Sequence, residues 1–281
     1  MPNIQLQLIE ELRLLYLQEK KERKSVQQKK ETYVFNIWED LHKSYQQEKE
    51  QIYQQYIRPF ISEYSFLNSL SSLSVIGKIN QETYHSCFLE KIWDSQTASG
   101  SIILTDFFKT AGIKEDWIET VICNQYSITK EYYTGKHREC DLCNNRIDLF
   151  IKDDTHKWLV VIENKICSEV HVKKRGGRNQ LEIYKDYCER IFPSYKRTLI
   201  LLSHCDNKSY AQKSDWRYTD YYSVMKSLLK YSKCGDIIQD YLKTLYSLLF
   251  NKEQLDTNLY NEETSLYDYN LFINRIISKI Y

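Results

Sequence analysis

At 281 residues, 42% of them hydrophobic, the chain is long enough for one large domain or for a core with appendages. A formal charge of +1 excludes a surface that is basic throughout, so any nucleic-acid contact must be local. No apolar run approaches the roughly 18 to 20 residues of a membrane helix, the N-terminus lacks a basic n-region and a cleavable h-region, and eight dispersed cysteines read as free thiols. These features predict a cytoplasmic protein with no membrane partner, and 7 Gly with 3 Pro predict few tight turns and much helix.

Residues 4–57 hold almost no helix breaker and place Leu8, Leu12 and Leu15, then Trp38, Leu41, Tyr45, Ile52 and Tyr56 at helical spacing. The stretch 18–30 is nearly all polar, so the segment reads either as one long helix or as a two-helix hairpin that turns there. Pro59 is expected to close it, because proline cannot continue a helix without losing a hydrogen bond. Such an arm either packs on the chain's own core, the commoner fate, or serves a homodimer or a partner protein.

Beyond residue 76 the texture changes. Residues 82–93 and 102–110 read as helices, the second ending near Gly112, and 116–123 as a third helix or the approach to a strand. Strand-type apolar runs follow at 146–151, 158–166 and 198–203, the first two separated by the polar turn 152–156. Between the second and third runs, residues 180–192 carry Leu181, Ile183, Tyr184, Tyr187 and Ile191 at helical spacing. Strand, turn, strand, helix, strand is an α/β layout with the helix as crossover. After Gly235 a broad apolar helical face returns in Ile237, Ile238, Tyr241, Leu242, Leu245, Leu248 and Leu249.

The chemistry gathers around Asp148 in R-I-D-L-F-I and Glu163 and Lys165 in W-L-V-V-I-E-N-K-I. Charges in or beside such runs need partners. Alternation along a strand points Glu163 and Lys165 to one face and Asn164 to the other. With a suitable hairpin register Asp148 stands beside Glu163, giving two hard oxygen ligands for Mg²⁺ or Mn²⁺, with water, phosphate oxygen and the Asn164 backbone carbonyl filling the rest. A metal there acidifies bound water and offsets charge on a phosphodiester, while Lys165 orients the nucleophile or stabilises the pentavalent centre. Taken alone, the E-x-K of β type is also what an exposed ion pair at a sheet edge looks like.

From about Glu82 to Leu229, roughly half of the chain, the sequence resembles the PD-(D/E)XK nuclease superfamily. N-Q-E-T-Y-H-S-C-F-L-E-K-I-W-D is similar to the family's first helix, with Glu82, His85 and Ser86 matching, and G-S-I-I-L-T-D-F-F-K-T-A-G-I to the next. N-R-I-D-L-F-I supplies the motif aspartate, with Asn145 where glycine is usual, I-E-N-K-I supplies the acid-x-lysine half, and Glu169 matches an acidic position beyond it. Gln180-Leu-Glu-Ile-Tyr184 is similar to the Q-x-x-x-Y motif of RecB-like members, and S-D-W-R-Y-T-D-Y-Y-S-V-M resembles the last strand and helix.

The resemblance implies a restriction-endonuclease-like α/β core, a central mixed sheet flanked by helices, at 76–235, with an N-terminal helical arm at 1–75 and a C-terminal helical extension at 236–281. It implies catalytic Asp148, Glu163 and Lys165, a metal set of Glu82, Asp148, Glu163 and the Asn164 carbonyl, and Gln180 and Tyr184 bordering the site and touching nucleic acid. The expected activity is Mg²⁺- or Mn²⁺-dependent hydrolysis of DNA, with RNA kept open, in bacterial defence or restriction. The alternative is a catalytically silent nuclease-like subunit that binds nucleic acid or protein.

Lys173, Lys174, Arg175 and Arg178 form an insertion with two glycines, read either as a basic loop close to the scissile phosphate or as a solvated loop. Cys140-x-x-Cys143, with His137 ahead of it, invites a zinc reading but lacks a second pair of ligands. Cys167, Cys188 and Cys205 read as small core fillers, and His171 and His204 as ordinary residues. No phosphate loop of P-loop or dinucleotide type is present.

Overall fold

The computed structural model describes residues 2–121, 126–135, 146–170, 178–250 and 264–280. Its first element follows from the lack of breakers: α1 (Pro2–Ile52) is one continuous helix, which overturns the hairpin option. The polar stretch stays helical through pairs one turn apart, among them Arg23 with Glu19 at 2.6 Å and Gln27 with Glu31 at 2.9 Å.

The side chains of residues 10–48 are all exposed, so over that length the arm does not pack on the core as the commoner fate predicted. Its apolar residues explain this, because Leu12, Leu14, Leu15 and Leu17 are spread around the helix instead of lying in one stripe. Only the last turns dock. Lys49 is buried, the Tyr45 hydroxyl accepts the Leu266 N–H at 2.9 Å, and Tyr53 stacks on Tyr269.

Pro59 does not end the helical path either. A π-helical turn at Tyr53–Ile57 leads into α2 (Arg58–Glu63), where Pro59 occupies the first turn and its missing N–H costs nothing. Ile57, Phe60, Tyr64 and Leu67 are then buried in the main core, with Phe60 edge-on to Phe272.

The sheet has five strands in the order β1 (Ser127–Tyr133), β2 (Arg146–Asp153), β3 (Trp158–Lys165), β4 (Lys196–Ser203) and β5 (Arg217–Asp220). The first three are antiparallel neighbours, and β3, β4 and β5 run parallel. The mixed sheet matches the expected class. No sequence pattern marks β1, and its half-buried edge position explains why S-I-T-K-E-Y-Y lacks the apolar run of an inner strand.

Side-chain alternation splits the core into two layers. Leu149, Ile151, Val160, Ile162, Ile200 and Leu202 face a layer that includes α4 (Glu82–Ile92), α5 (Gly100–Thr110), α9 (Tyr221–Leu229) and α10 (Asp236–Phe250). Phe150, Leu159, Val161, Leu199 and Leu201 face α7 (Gln180–Ile191) and α8 (Lys208–Ser214), the crossovers to β4 and β5. The short α3 (Ser72–Val75) and α6 (Ile118–Val121), with α11 (Leu266–Phe272) and α12 (Ser278–Ile280), complete the first layer. Asn179 starts α7 with a reciprocal cap: its side chain accepts the Glu182 N–H at 3.0 Å, and the Glu182 carboxylate accepts the Asn179 N–H at 2.8 Å. Among the described residues no helix is long and apolar enough to cross a membrane.

Candidate active site

The β2–β3 ladder runs from Asp153 opposite Trp158 to Leu149 opposite Ile162 and stops there. The next position on each strand is an acid, Asp148 and Glu163. Asp148 is held in place because its Oδ2 accepts the backbone N–H of Asn164 at 2.6 Å. That contact brings the first motif acid onto the strand that carries the other two residues.

Glu163 and Lys165 share a face as alternation requires, and they are only 1% and 3% exposed. Lys165 Nζ donates to Glu163 Oε1 at 2.7 Å. The other oxygen, Glu163 Oε2, is buried with no hydrogen-bond partner. Burial pushes the Glu163 carboxyl above its ordinary range even though Lys165 opposes the shift. Burial, and then the neighbouring Glu163, pushes Asp148 up as well. Burial would strip the proton from Lys165, but Glu163, Asp148 and Glu82 together outweigh it and hold the ammonium charged.

Asn164 faces the opposite layer and is fully buried there. Its Nδ2 donates to Ser86 Oγ at 3.2 Å, and its Oδ1 accepts the Tyr221 hydroxyl. Ser86 in turn donates to the Glu82 carbonyl at 3.3 Å, and His85 lies between the Ile79 carbonyl at 2.6 Å and the Tyr241 hydroxyl at 3.1 Å. Tyr221 is a site neighbour that the sequence reading does not single out. Its one signal is its place in the first turn of α9, directly after β5, which sets its hydroxyl against the end of β3.

Glu82, in the first turn of α4, spends one oxygen on the Ile166 N–H at 3.0 Å and the Ser168 hydroxyl at 2.6 Å. Its second oxygen lies 3.7 Å from Lys165 Nζ. Glu82 therefore anchors the exit of β3 and faces the lysine. Ser168 is a second site neighbour for which the sequence offers no signal.

Gln180 and Tyr184, one turn apart on α7, are both buried. Gln180 Nε2 donates to the Tyr184 hydroxyl at 3.1 Å, which donates to the Arg146 carbonyl at 2.6 Å. The pair lies on the α7 side of the sheet, the face that Glu163 shares, and Tyr184 is near enough to Glu163 and Asp148 for their charge to act on its hydroxyl, though both side chains are buried. The Gln180 Oε1 is buried without a partner. Arg178 donates to the Glu182 carbonyl at 3.1 Å and pairs with Asp186. Lys173, Lys174 and Arg175, the Cys140 and Cys143 pair with His137, Asn145 and His171 lie outside the described residues. Of the three cysteines expected in the core, Cys188 is buried there, whereas Cys167 is exposed and Cys205 half-buried beside the exit of β3.

The residues suit a hard divalent cation. Three carboxylates face one ammonium, two of them with pKa raised by burial, and one carboxylate oxygen is orphaned in the interior. Among the described residues no group of three or more His, Cys, Asp and Glu gathers at metal-holding geometry.

Compared with known proteins, residues 71–264 match the family model of the PD-(D/E)XK nuclease superfamily. The match begins ahead of α4 and runs past α10. No curated protein and no solved structure matches the chain.

Proposed function

The chain belongs to the PD-(D/E)XK nuclease superfamily, and on that premise we propose that it hydrolyses phosphodiester bonds of DNA with a divalent cation, Mg²⁺ or Mn²⁺, held by Asp148 and Glu163. The observation that carries this reading is the orphaned Glu163 Oε2, buried one residue beyond the point where β2 and β3 stop pairing and next to Asn164, whose N–H Asp148 accepts. The Asn164 carbonyl, water and phosphate oxygen would complete the shell of such an ion.

When bound, such an ion supplies Lewis acidity, acidifying a water and offsetting phosphate charge. The chain's own residues do the rest. Lys165, whose ammonium is favoured by the neighbouring Glu163, Asp148 and Glu82, stabilises charge developing on the phosphate oxygens. Glu163 fixes where that ammonium points. Glu82 orients Lys165 from the side of α4, and Ser86 and Tyr221 fix Asn164, so the backbone between the two motif residues cannot rotate. A role in bacterial defence or restriction follows from the family by analogy.

A second reading, a silent nuclease-like subunit that recruits a partner, draws on the exposed apolar side chains of α1. One assay separates the two. The protein is incubated with plasmid, linear and single-stranded DNA and with RNA, each with Mg²⁺ or Mn²⁺, beside Glu163→Ala and Lys165→Ala. Cleavage by the parent alone supports the enzyme, and cleavage by all three proteins alike removes it.

A further inference from the structure

The parallel ladder of β3 and β4 ends on the pair Lys165 and Ser203, closed by the His204 N–H donating to the Lys165 carbonyl at 2.8 Å. Two residues further along each chain stand Cys167 and Cys205. The two chain exits stay side by side beyond the ladder. Cys205 Sγ donates to the Ile166 carbonyl at 2.7 Å, and Asn207 Nδ2 donates both to the Ser168 carbonyl at 3.1 Å and to Ser203 Oγ at 3.0 Å. Neighbouring strands lie about 4.8 Å apart, within the Cα separation of roughly 4.4–6.8 Å that a disulfide spans.

Both thiols are free, Cys167 exposed and Cys205 half-buried. The exposed Cys167 meets a dissolved oxidant first, and the half-buried Cys205 beside it, whose thiol is raised by burial and then by the proximity of Cys167, is placed to resolve it. We propose that Cys167 and Cys205 are an oxidation site at the edge of the catalytic cluster, closing to a reversible disulfide when the protein meets hydrogen peroxide.

In the first step the Cys167 thiolate attacks the peroxide, the O–O bond breaks, and Cys167 becomes a sulfenic acid as hydroxide leaves and is protonated to water. In the second the Cys205 sulfur attacks the sulfenic sulfur, the S–O bond breaks, the S–S bond forms, and a second water leaves with the Cys205 proton. Two thiols are oxidised and one peroxide is reduced.

The bond removes the S–H that the Ile166 carbonyl accepts. Ile166 is also the residue whose N–H Glu82 holds, and Lys165 directly precedes it. Closing the disulfide therefore displaces the anchor of Lys165 and lowers turnover, a consequence that rests on the nuclease reading above.

The test uses the full chain, reduced, desalted and exposed to hydrogen peroxide. Remaining thiols are alkylated, and non-reducing peptide mapping by mass spectrometry reads the pairing. The expected result is a Cys167–Cys205 cross-link as the main disulfide, reversed by dithiothreitol, and a dimedone-trapped sulfenic acid at Cys167 in Cys205→Ser. Separate alkylation of both residues, or a cross-link of Cys167 to a different cysteine, overturns the site. In the same samples cleavage should fall about tenfold on oxidation, return with dithiothreitol, and stay constant in Cys205→Ser. Unchanged cleavage by a fully cross-linked sample overturns the effect on Lys165. Because the cross-link is read by mass alone, a reduced protein that cuts nothing counts against the nuclease reading and leaves the disulfide result to stand or fall by itself.

Discussion

Asp148 Oδ2 accepts the backbone N–H of Asn164 at 2.6 Å, so one acid of the site is locked to the strand that carries the other acid and the lysine. Asp148→Asn keeps an acceptor of the same shape and removes only the charge. Its melting temperature should stay within a few degrees of the parent while cleavage falls at least about a hundredfold. Asp148→Ala also strands the Asn164 N–H and should lose a further ~1–3 kcal/mol in urea unfolding. Equal destabilisation by the two variants would remove the assigned hydrogen bond.

The buried Glu163–Lys165 pair, at 2.7 Å, gives a second prediction. Lys165→Met leaves the Glu163 carboxylate in the interior without its ammonium, which should cost ~3–5 kcal/mol in metal-free protein. Adding Glu163→Gln to Lys165→Met should recover most of that loss. Chemical denaturation of the two single variants and the double variant gives the coupling energy, and additive losses would mean that the ions do not interact.

How much of this can be read from the chain depends on what each residue touches. The inner strands are legible because burial on both faces writes itself as an apolar run, as in Trp158 to Ile162. The shared face of Glu163 and Lys165 follows from alternation alone. β1 is not legible, because an edge strand with one wet face can be built from Ser, Thr, Lys and Glu. The contact of Asp148 with Asn164 depends on a register that no local pattern encodes, and Tyr221 reaches Asn164 across 57 residues of sequence. The exposure of α1 is hidden for the opposite reason, since its leucines advertise burial that its own chain does not provide.

Trp38 and Leu41, 59% and 65% exposed, should tolerate charge. Trp38→Lys with Leu41→Lys is expected to leave the stability of the core unchanged within about 0.5 kcal/mol, whereas Ile57→Ala, in the main core, should cost ~2–5 kcal/mol. If α1 serves a second copy or a partner protein, sedimentation velocity will show the paired lysine variant losing that assembly. Core destabilisation by the lysines would place α1 against the body in solution.

The basic insertion predicts a salt effect. Replacing Lys173, Lys174, Arg175 and Arg178 by Ala should weaken DNA binding and lower the slope of log affinity against log salt by about 0.9 for each phosphate that the loop no longer neutralises. Arg178→Ala alone should do less, because Arg178 is already tied to Asp186 and the Glu182 carbonyl. Filter binding across a salt series reads both, and an unchanged slope for the fourfold variant would assign the loop to solvent.

Burial, opposed by the hydrogen bond to the Ile79 carbonyl, lowers the His85 pKa from 6.5 to about 4. The neutral ring has its Nε2–H donating to Ile79 and its Nδ1 accepting from Tyr241. Between these two values the unfolded chain binds the proton and the folded one does not, so stability is lost as pH falls from 6.5 toward 4. A shift of about two and a half units makes the loss roughly 3 kcal/mol. Asp148 and Glu163 act in the opposite sense: their raised values mean that the folded state holds protons longer, so their contribution declines as pH rises above the ordinary 3.8 and 4.5. The two effects separate by substitution. His85→Gln, which can still donate to Ile79 and accept from Tyr241, should flatten the acid-side loss, whereas Asp148→Asn with Glu163→Gln should steepen it by removing the opposing contribution. Urea unfolding at several pH values gives the slopes, and an NMR titration showing His85 charged at pH 6 would overturn the assignment.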